Sequence, residues 1–213
     1  MRDLLTFYAE LAEFQKGLLS PRPEGRGVRT GETFRDALDT GPALEAIPTF
    51  REWLSTKAPA FVGGDDADAF INAALIQPFA EQLAADWPRE QVASSSACPV
   101  CEGAPTVGLF RPDGQSARRA LICAFCLTEH EFMRVLCPSC GEDRFDALPV
   151  FTADQFGHVR IDACDSCHTY IKTIDLTKDG YAVPVVDDIA TVALDVWARE
   201  HGYERIQRSL LGL

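Results

Sequence analysis

The chain has 213 residues, 46% of them hydrophobic, which suffices for one large domain or two small ones with a buried core. Its 32 acidic against 20 basic residues give a formal net charge of -12, with 9 basic and 15 acidic residues before Cys98 and 11 and 17 after it. Both parts are therefore acidic, a balance that disfavours binding to phosphate backbones. No run reaches the roughly 18 apolar residues of a membrane-spanning helix. Asp3, Glu10 and Glu13 interrupt what would be the apolar stretch of a signal peptide. The expectation is a soluble, cytoplasmic protein without membrane insertion.

From the N-terminus, Leu4, Leu5, Tyr8, Leu11 and Leu18 recur at helical spacing and predict a first helix ending near Gly17 to Pro21. The loop "RPEGRGVRTG" follows. Its Gly25, Gly27 and Gly31 loosely resemble a phosphate loop, but no Gly-Lys-Ser/Thr follows and no apolar strand leads in, so a flexible connection is expected. Short helices are predicted over Thr33 to Leu38 and Phe50 to Lys57. A longer one covers Ala67 to Trp87, with Phe70, Ile71, Ala74, Leu75, Phe79 and Leu83 on one face and Pro78 as a kink. Residues 1–97, which contain no cysteine, thus form a helical region, and Ser94, Ser95 and Ser96 read as a short linker.

All eight cysteines fall between residues 98 and 167, in four Cys-x-x-Cys pairs: Cys98/Cys101, Cys123/Cys126, Cys137/Cys140 and Cys164/Cys167. Such a pair places two sulfurs on one side of a tight bend, where they can fill two corners of a tetrahedron around one ion at roughly 2.3 Å. Eight cysteines therefore supply two complete tetrathiolate sites, and in a reducing compartment paired thiols of this kind are metal ligands more often than disulfides. Thr106 to Phe110 and Arg118 to Ile122 read as a hairpin around "PDGQ", and Ala147 to Phe151 and His158 to Ile161 as a second around "ADQFG". Each hairpin would return the chain to its own first cysteine pair. Cys98 and Cys137 are 39 residues apart and Cys123 and Cys164 are 41 apart, which suggests a duplicated unit of about forty residues. A sequential grouping follows, Cys98, Cys101, Cys123 and Cys126 on one metal and Cys137, Cys140, Cys164 and Cys167 on the other. An interleaved brace, with the first pair joined to the third and the second to the fourth, remains open on sequence alone. Four thiolates suit iron or zinc equally.

Between the halves, Glu131, Met133 and Val135 alternate with Phe132, Arg134 and Leu136 as a strand would. Gly141 permits a left-handed turn after Cys140, whereas Glu102 stands at the matching position after Cys101. His130, His158, His168 and His201 are surplus to two filled shells. Near the C-terminus, Ile189, Val192, Ala193, Val196 and Trp197 predict one helix, with Asp187 and Asp188 in its cap and first turn and Gly202 beyond its end. Capping or packing explains the two aspartates. A site made of them with Lys172 lacks any cofactor loop or nucleophile motif, and no enzyme activity is expected. The fold class is α+β: a helical N-terminal layer at 1–97, ribbon modules at 98–136 and 137–180, and a C-terminal helix and tail at 181–213.

Four stretches, "CPVCEGAP", "RRALICAFCLTEHEFMRVLCPSCGE", "CDSCHTYIKTIDL" and "PVVDDIATVALDVWAREHGYER", run in the order of the FdhE family of formate dehydrogenase accessory proteins, and the chain resembles that family from Cys98 to Arg205. The resemblance implies a helical part joined to two rubredoxin-like ribbons. It also implies a cytoplasmic protein that binds the catalytic subunit of a formate dehydrogenase and is needed for its activity, with the eight cysteines as ligands for iron. Tyr170, Lys172, Asp187, Asp188, Tyr203 and Arg205 are carried over as surface or support positions, for partner binding or packing. The chain departs from the family at Glu102, where glycine is usual, and its N-terminal region looks shorter. The competing function is a zinc ribbon in transcription or RNA processing, which the acidic balance disfavours; a thioredoxin-type site would use a single Cys-x-x-Cys opening a helix.

Overall fold

The computed structural model describes residues 2–19, 33–57, 67–87 and 95–207. The glycine-containing loop and Ser94 of the serine linker lie outside these residues. The described part falls into two compact units, one of helices and one built on a sheet.

The first unit contains α1 (Arg2–Leu18), α2 (Phe34–Ala37), α3 (Gly41–Glu45), α4 (Ile47–Lys57) and α5 (Ala67–Ala85). The Thr33 side chain accepts from the Asp36 amide and the Asp36 carboxylate accepts from the Thr33 amide, a reciprocal cap that starts α2. Helix α3, which the apolar spacing does not predict, starts at Gly41-Pro42, where proline lacks only an amide that the first turn leaves unpaired anyway. Leu11, Phe50, Leu54, Phe70, Ile71 and Leu75 form the core. Trp53 stacks on Phe50 at 5.3 Å and meets Phe14 at 5.4 Å. Pro78 lies inside α5 and is buried.

The second unit contains β1 (Pro105–Asp113), β2 (Ser116–Cys123), β3 (Glu129–Glu131), β4 (Val150–Thr152), β5 (Val159–Cys164) and β6 (Thr169–Asp175), then α6 (Pro184–Ala190), α7 (Val192–Glu200) and β7 (Glu204–Arg205). The order across the sheet is β3-β2-β1-β6-β5-β4, with β7 added to β6. Both expected hairpins form, although Ala147 belongs to a 3-10 turn, Phe145–Ala147, and not to β4. The ribbons are not separate beads. Strand β1 of the first pairs in parallel with β6 of the second, Val107 opposite Lys172 through Phe110 opposite Asp175, so one backbone ladder runs through both.

That seam depends on a missing side chain. A Cβ on Gly108 would lie 2.3 Å from the Thr173 hydroxyl oxygen, so the parallel pairing requires glycine there.

Strand alternation divides the sheet into two faces. Val107, Leu109, Ala120, Ile122, Val159, Ile161, Ala163, Tyr170 and Ile174 pack under Leu194 and Ala198 of α7. Leu121 and Ile171 point the other way and meet Phe132, Leu136 and Ile206.

Two expectations need correction. The stretch 132–136 is not a strand: β3 ends at Glu131. Arg119, from β2, donates to the carbonyls of Met133 (3.1 Å), Arg134 (3.2 Å) and Leu136 (3.0 Å), taking the acceptors a neighbouring strand would have used. The C-terminal helix is two helices, broken at Thr191. Its buried stripe is Asp188, Thr191, Leu194, Asp195 and Ala198, while the predicted apolar face leaves Val196 48% exposed.

Among the described residues no helix is long and apolar enough to cross a membrane.

Candidate metal centres and the buried ion network

Each ribbon brings its two knuckles together. The sulfurs of Cys98, Cys101, Cys123 and Cys126 all lie within 4.8 Å of one another, as do those of Cys137, Cys140, Cys164 and Cys167. The grouping is sequential, and the interleaved brace does not form. In the first group Cys98 and Cys126 are 3.6 Å apart, and Cys101 is 3.4 Å from both Cys123 and Cys126. In the second, Cys137–Cys167 and Cys140–Cys164 are each 3.7 Å. A tetrahedron of thiolates at about 2.3 Å from a central ion has edges of about 3.8 Å, so both donor sets fit one four-coordinate ion each. Among the described residues both groups consist of cysteine alone, and no histidine joins them.

The knuckles share one backbone device. The residue after each second cysteine has a left-handed φ: Glu102 at 61°, Leu127 at 53°, Gly141 at 78° and His168 at 55°. This reverses the chain within one residue. The amides of Glu102, Gly141 and His168 return to the carbonyls of Cys98, Cys137 and Cys164 at 2.9, 3.0 and 2.8 Å. The amides of Val100, Phe125 and Ser139 donate to the sulfurs of Cys98, Cys123 and Cys137, each at 3.4 Å. Such donors favour thiolate over thiol. The first knuckle therefore keeps its geometry with glutamate at position 102, and its glycine serves another purpose: a Cβ on Gly103 would sit 2.9 Å from the Cys123 sulfur.

The two groups differ in exposure. Cys98, Cys101, Cys123 and Cys126 are all buried, whereas in the second group Cys140 is exposed and Cys167 half-buried. The sulfur contacts of Cys101 and Cys123 bring the Cys126 thiol down to about 7. Burial opposes ionisation of Cys167, yet the Thr169 hydroxyl and amide hold it at about 7, and burial pushes Cys164 up to about 12. In the first group the sulfur contacts of Cys101, Cys123 and Cys126 also lower the Cys98 thiol, so each group has at least one thiol that ionises readily beside others that a cation must deprotonate.

Outside the sulfurs, Lys172 on β6 is fully buried, with its Nζ 3.0 Å from Asp188 Oδ1 and 2.5 Å from Asp195 Oδ2. Arg205 donates to both Asp188 oxygens at 2.7 Å and pairs with Asp195 at 3.1 Å. The Tyr170 hydroxyl donates to Asp195 at 2.8 Å. Two cations thus face two carboxylates, a neutral set inside the fold. Burial, and then the charge of Asp195, raise the Tyr170 phenol well above its ordinary value. Burial lowers Arg205, but Asp188 and Asp195 outweigh it and raise its pKa.

Tyr170, Lys172, Asp188 and the Arg205 side chain are therefore interior and not surface positions. Asp187 lies in the first turn of α6, whose N-cap is Val183, accepts from the Val183 amide at 2.7 Å, and also meets His158 at 2.9 Å. Asp188 does not cap; it turns inward. The Tyr203 hydroxyl donates to Asp165 at 2.6 Å. Asp195 is the member that sequence reasoning missed. The signal was Lys172 in the middle of "TYIKTID", a cation on the inward face of a central strand, which needs carboxylates from whatever packs over it.

Two family profiles match the chain, one described as "FdhE, central domain" over residues 97–134 and one as "FdhE, C-terminal domain" over residues 135–211. A protein named "Protein FdhE homolog" from Aquifex aeolicus is 40% identical over 116 residues, which cover 54% of this chain and 41% of that protein. One of the same name from Haemophilus influenzae is 31% identical over 156 residues, covering 71% of this chain and 51% of its own length. The chain thus spans about half the length of the curated relatives it matches or less. The crystal structure of the FdhE protein from Pseudomonas aeruginosa superposes with a TM-score of 0.73 at 21% identity, covering 95% of this chain and 86% of that one, a likeness of fold.

Proposed function

Because the chain belongs to the FdhE family, we propose that it is an accessory factor for a formate dehydrogenase, acting in the cytoplasm by binding that enzyme's catalytic subunit. The observation that carries the reading is the pair of all-cysteine groups fused across one sheet, in the part of the chain that the two profiles match. Cys98, Cys101, Cys123 and Cys126 would hold one metal ion, and Cys137, Cys140, Cys164 and Cys167 the other. The bound ion locks each pair of knuckles, and iron would add a redox-responsive centre where zinc adds structure alone.

A non-catalytic role agrees with how the other candidate groups are spent. Lys172 and Arg205 are neutralised by Asp188 and Asp195 in the interior, and Asp187 accepts from the Val183 amide at the start of a helix.

Affinity-tagged protein, purified anaerobically from formate-metabolising cells, tests the reading. A formate dehydrogenase large subunit is expected to co-purify, with two metal equivalents per chain; a preparation that never retains that subunit would refute it. Visible absorption separates the metals, because a colourless, zinc-filled protein removes the redox-responsive part.

A further inference from the structure

The face of the sheet opposite α6 and α7 carries a groove of about 210 Å³, walled on one side by Arg134 and Val135 and on the other by Phe145, Leu148 and Val150. Its floor includes Phe110, Arg160 and Asp162, and Cys137 and Cys164 of the second sulfur group border it. Phe145 is 82% exposed, Val150 50% and Val135 43%. Side chains this apolar are costly to leave in water as a group.

The charges around the groove run against those of the chain. In a protein of net charge -12, three arginines, Arg119, Arg134 and Arg160, line this groove with Asp162 as the one carboxylate. Arg119 is spent on the carbonyls of the 132–136 segment. Arg134 and Arg160 lie over the Phe110 ring at 5.3 and 4.4 Å, which holds both guanidiniums at the groove. Arg160 shares Asp162 with Arg119 and with the Thr173 hydroxyl, which donates at 2.7 Å. The carboxylate is outnumbered by guanidiniums; four thiolates on a divalent ion would add net negative charge at the Cys137 and Cys164 border, so the positive charge is local to Arg134 and Arg160 beside the apolar walls.

We propose that this groove is the docking site for an acidic, apolar peptide segment of a partner protein, its hydrophobic side chains against Phe145 and Val150 and its carboxylates on Arg134 and Arg160. Fixed guanidiniums form paired hydrogen bonds with carboxylates, and the apolar wall makes those bonds stronger by excluding water. The chain's net charge of -12 also disfavours non-specific association with other acidic proteins. Because the Cys137 knuckle forms part of the border, the docked segment lies against the more exposed of the two sulfur groups. The inference deepens the accessory reading by assigning its partner contact to one place.

The test uses the full metal-loaded chain and an array of labelled heptapeptides that combine leucine and phenylalanine with aspartate and glutamate, beside a matched array with lysine at each acidic position. Acidic members are expected to bind, lysine members are not, and Arg134→Glu or Phe145→Ser is expected to weaken binding at least about ten-fold. Both substitutions are at exposed positions, and unchanged metal content and circular dichroism verify that each variant is folded. Failure of the acidic array, equal binding of the lysine array, or full binding by either variant overturns the groove assignment. The same proteins are then presented to a purified formate dehydrogenase catalytic subunit. Capture by the wild type and loss in both variants supports the assignment. Capture that both variants retain refutes the groove and leaves the accessory role standing. No capture by the wild type, with peptides binding as expected, refutes the accessory role and leaves the groove.

Discussion

Replacing Lys172 with methionine removes one of two cations from a sealed set of four charges. Lys172 Nζ lies 3.0 Å from Asp188 and 2.5 Å from Asp195, and its side chain has no exposure. At an effective dielectric near 20, one such contact at 3 Å corresponds to about 5 kcal/mol. The variant loses that attraction and strands a carboxylate whose hydration was already given up, so the expected destabilisation is about 3–5 kcal/mol. Helix α6 also loses a partner, because the ammonium donates to the Asp188 carbonyl at 2.5 Å. Hydrogen exchange of peptides from β6 reads this unit without interference from the helical one. Protection there should fall by about two to three and a half orders of magnitude. Adding Asp195→Asn restores the charge balance, leaves Arg205 paired with Asp188, and should return at least about 1 kcal/mol of the loss. A Lys172→Met protein within about 1 kcal/mol of wild type, or a double variant as unstable as the sum of the two singles, would show that the set is not a coupled network.

Further measurements probe the sulfur groups and the seam. Serine at both Cys137 and Cys164 should reduce bound metal from two equivalents to one and leave the first site filled; retention of both equivalents would contradict the sequential grouping. A chelator should empty the proposed sites in two phases, the faster accompanied by alkylation of Cys140, since that sulfur is exposed while the first group is buried; a single phase would mean that burial does not control release. Gly108→Ala should cost about 1–3 kcal/mol by overpacking against Thr173, and Thr173→Ala in the same chain should recover part of it, read as β1 exchange protection. Glu102→Gly should gain up to about 1 kcal/mol in thermal unfolding of the metal-loaded form, because the φ of 61° suits glycine better than glutamate.

The cysteine spacing made the two sulfur groups and their sequential grouping legible, because a Cys-x-x-Cys knuckle is a local object and a hairpin between two knuckles is nearly so. Helical periodicity located α1, α4 and α5 for the same reason. The parallel β1–β6 seam was not legible: its partners are far apart in sequence, and its one local mark is a glycine whose role depends on Thr173 across the interface. Periodicity failed in α6 and α7 because the inward stripe holds Asp188 and Asp195, which become compatible with burial only once Lys172 and Arg205 face them. The segment after β3 was misread because a buried arginine, which no alternation pattern represents, took its carbonyls.

The shared ladder also constrains how the protein is made. Synthesis proceeds from the N-terminus, and β1 and β2 leave the ribosome with their cysteines well before β6 exists. In that interval β1 pairs with β2 on one side only, and its other edge, running from Val107 to Phe110, is an unpaired strand able to recruit any chain nearby. Early metal capture by the first knuckles would steady the hairpin without closing that edge. Only translation through Asp175 closes it, so a nascent chain stalled or cleaved within the second ribbon would display a sticky strand beside a finished metal site.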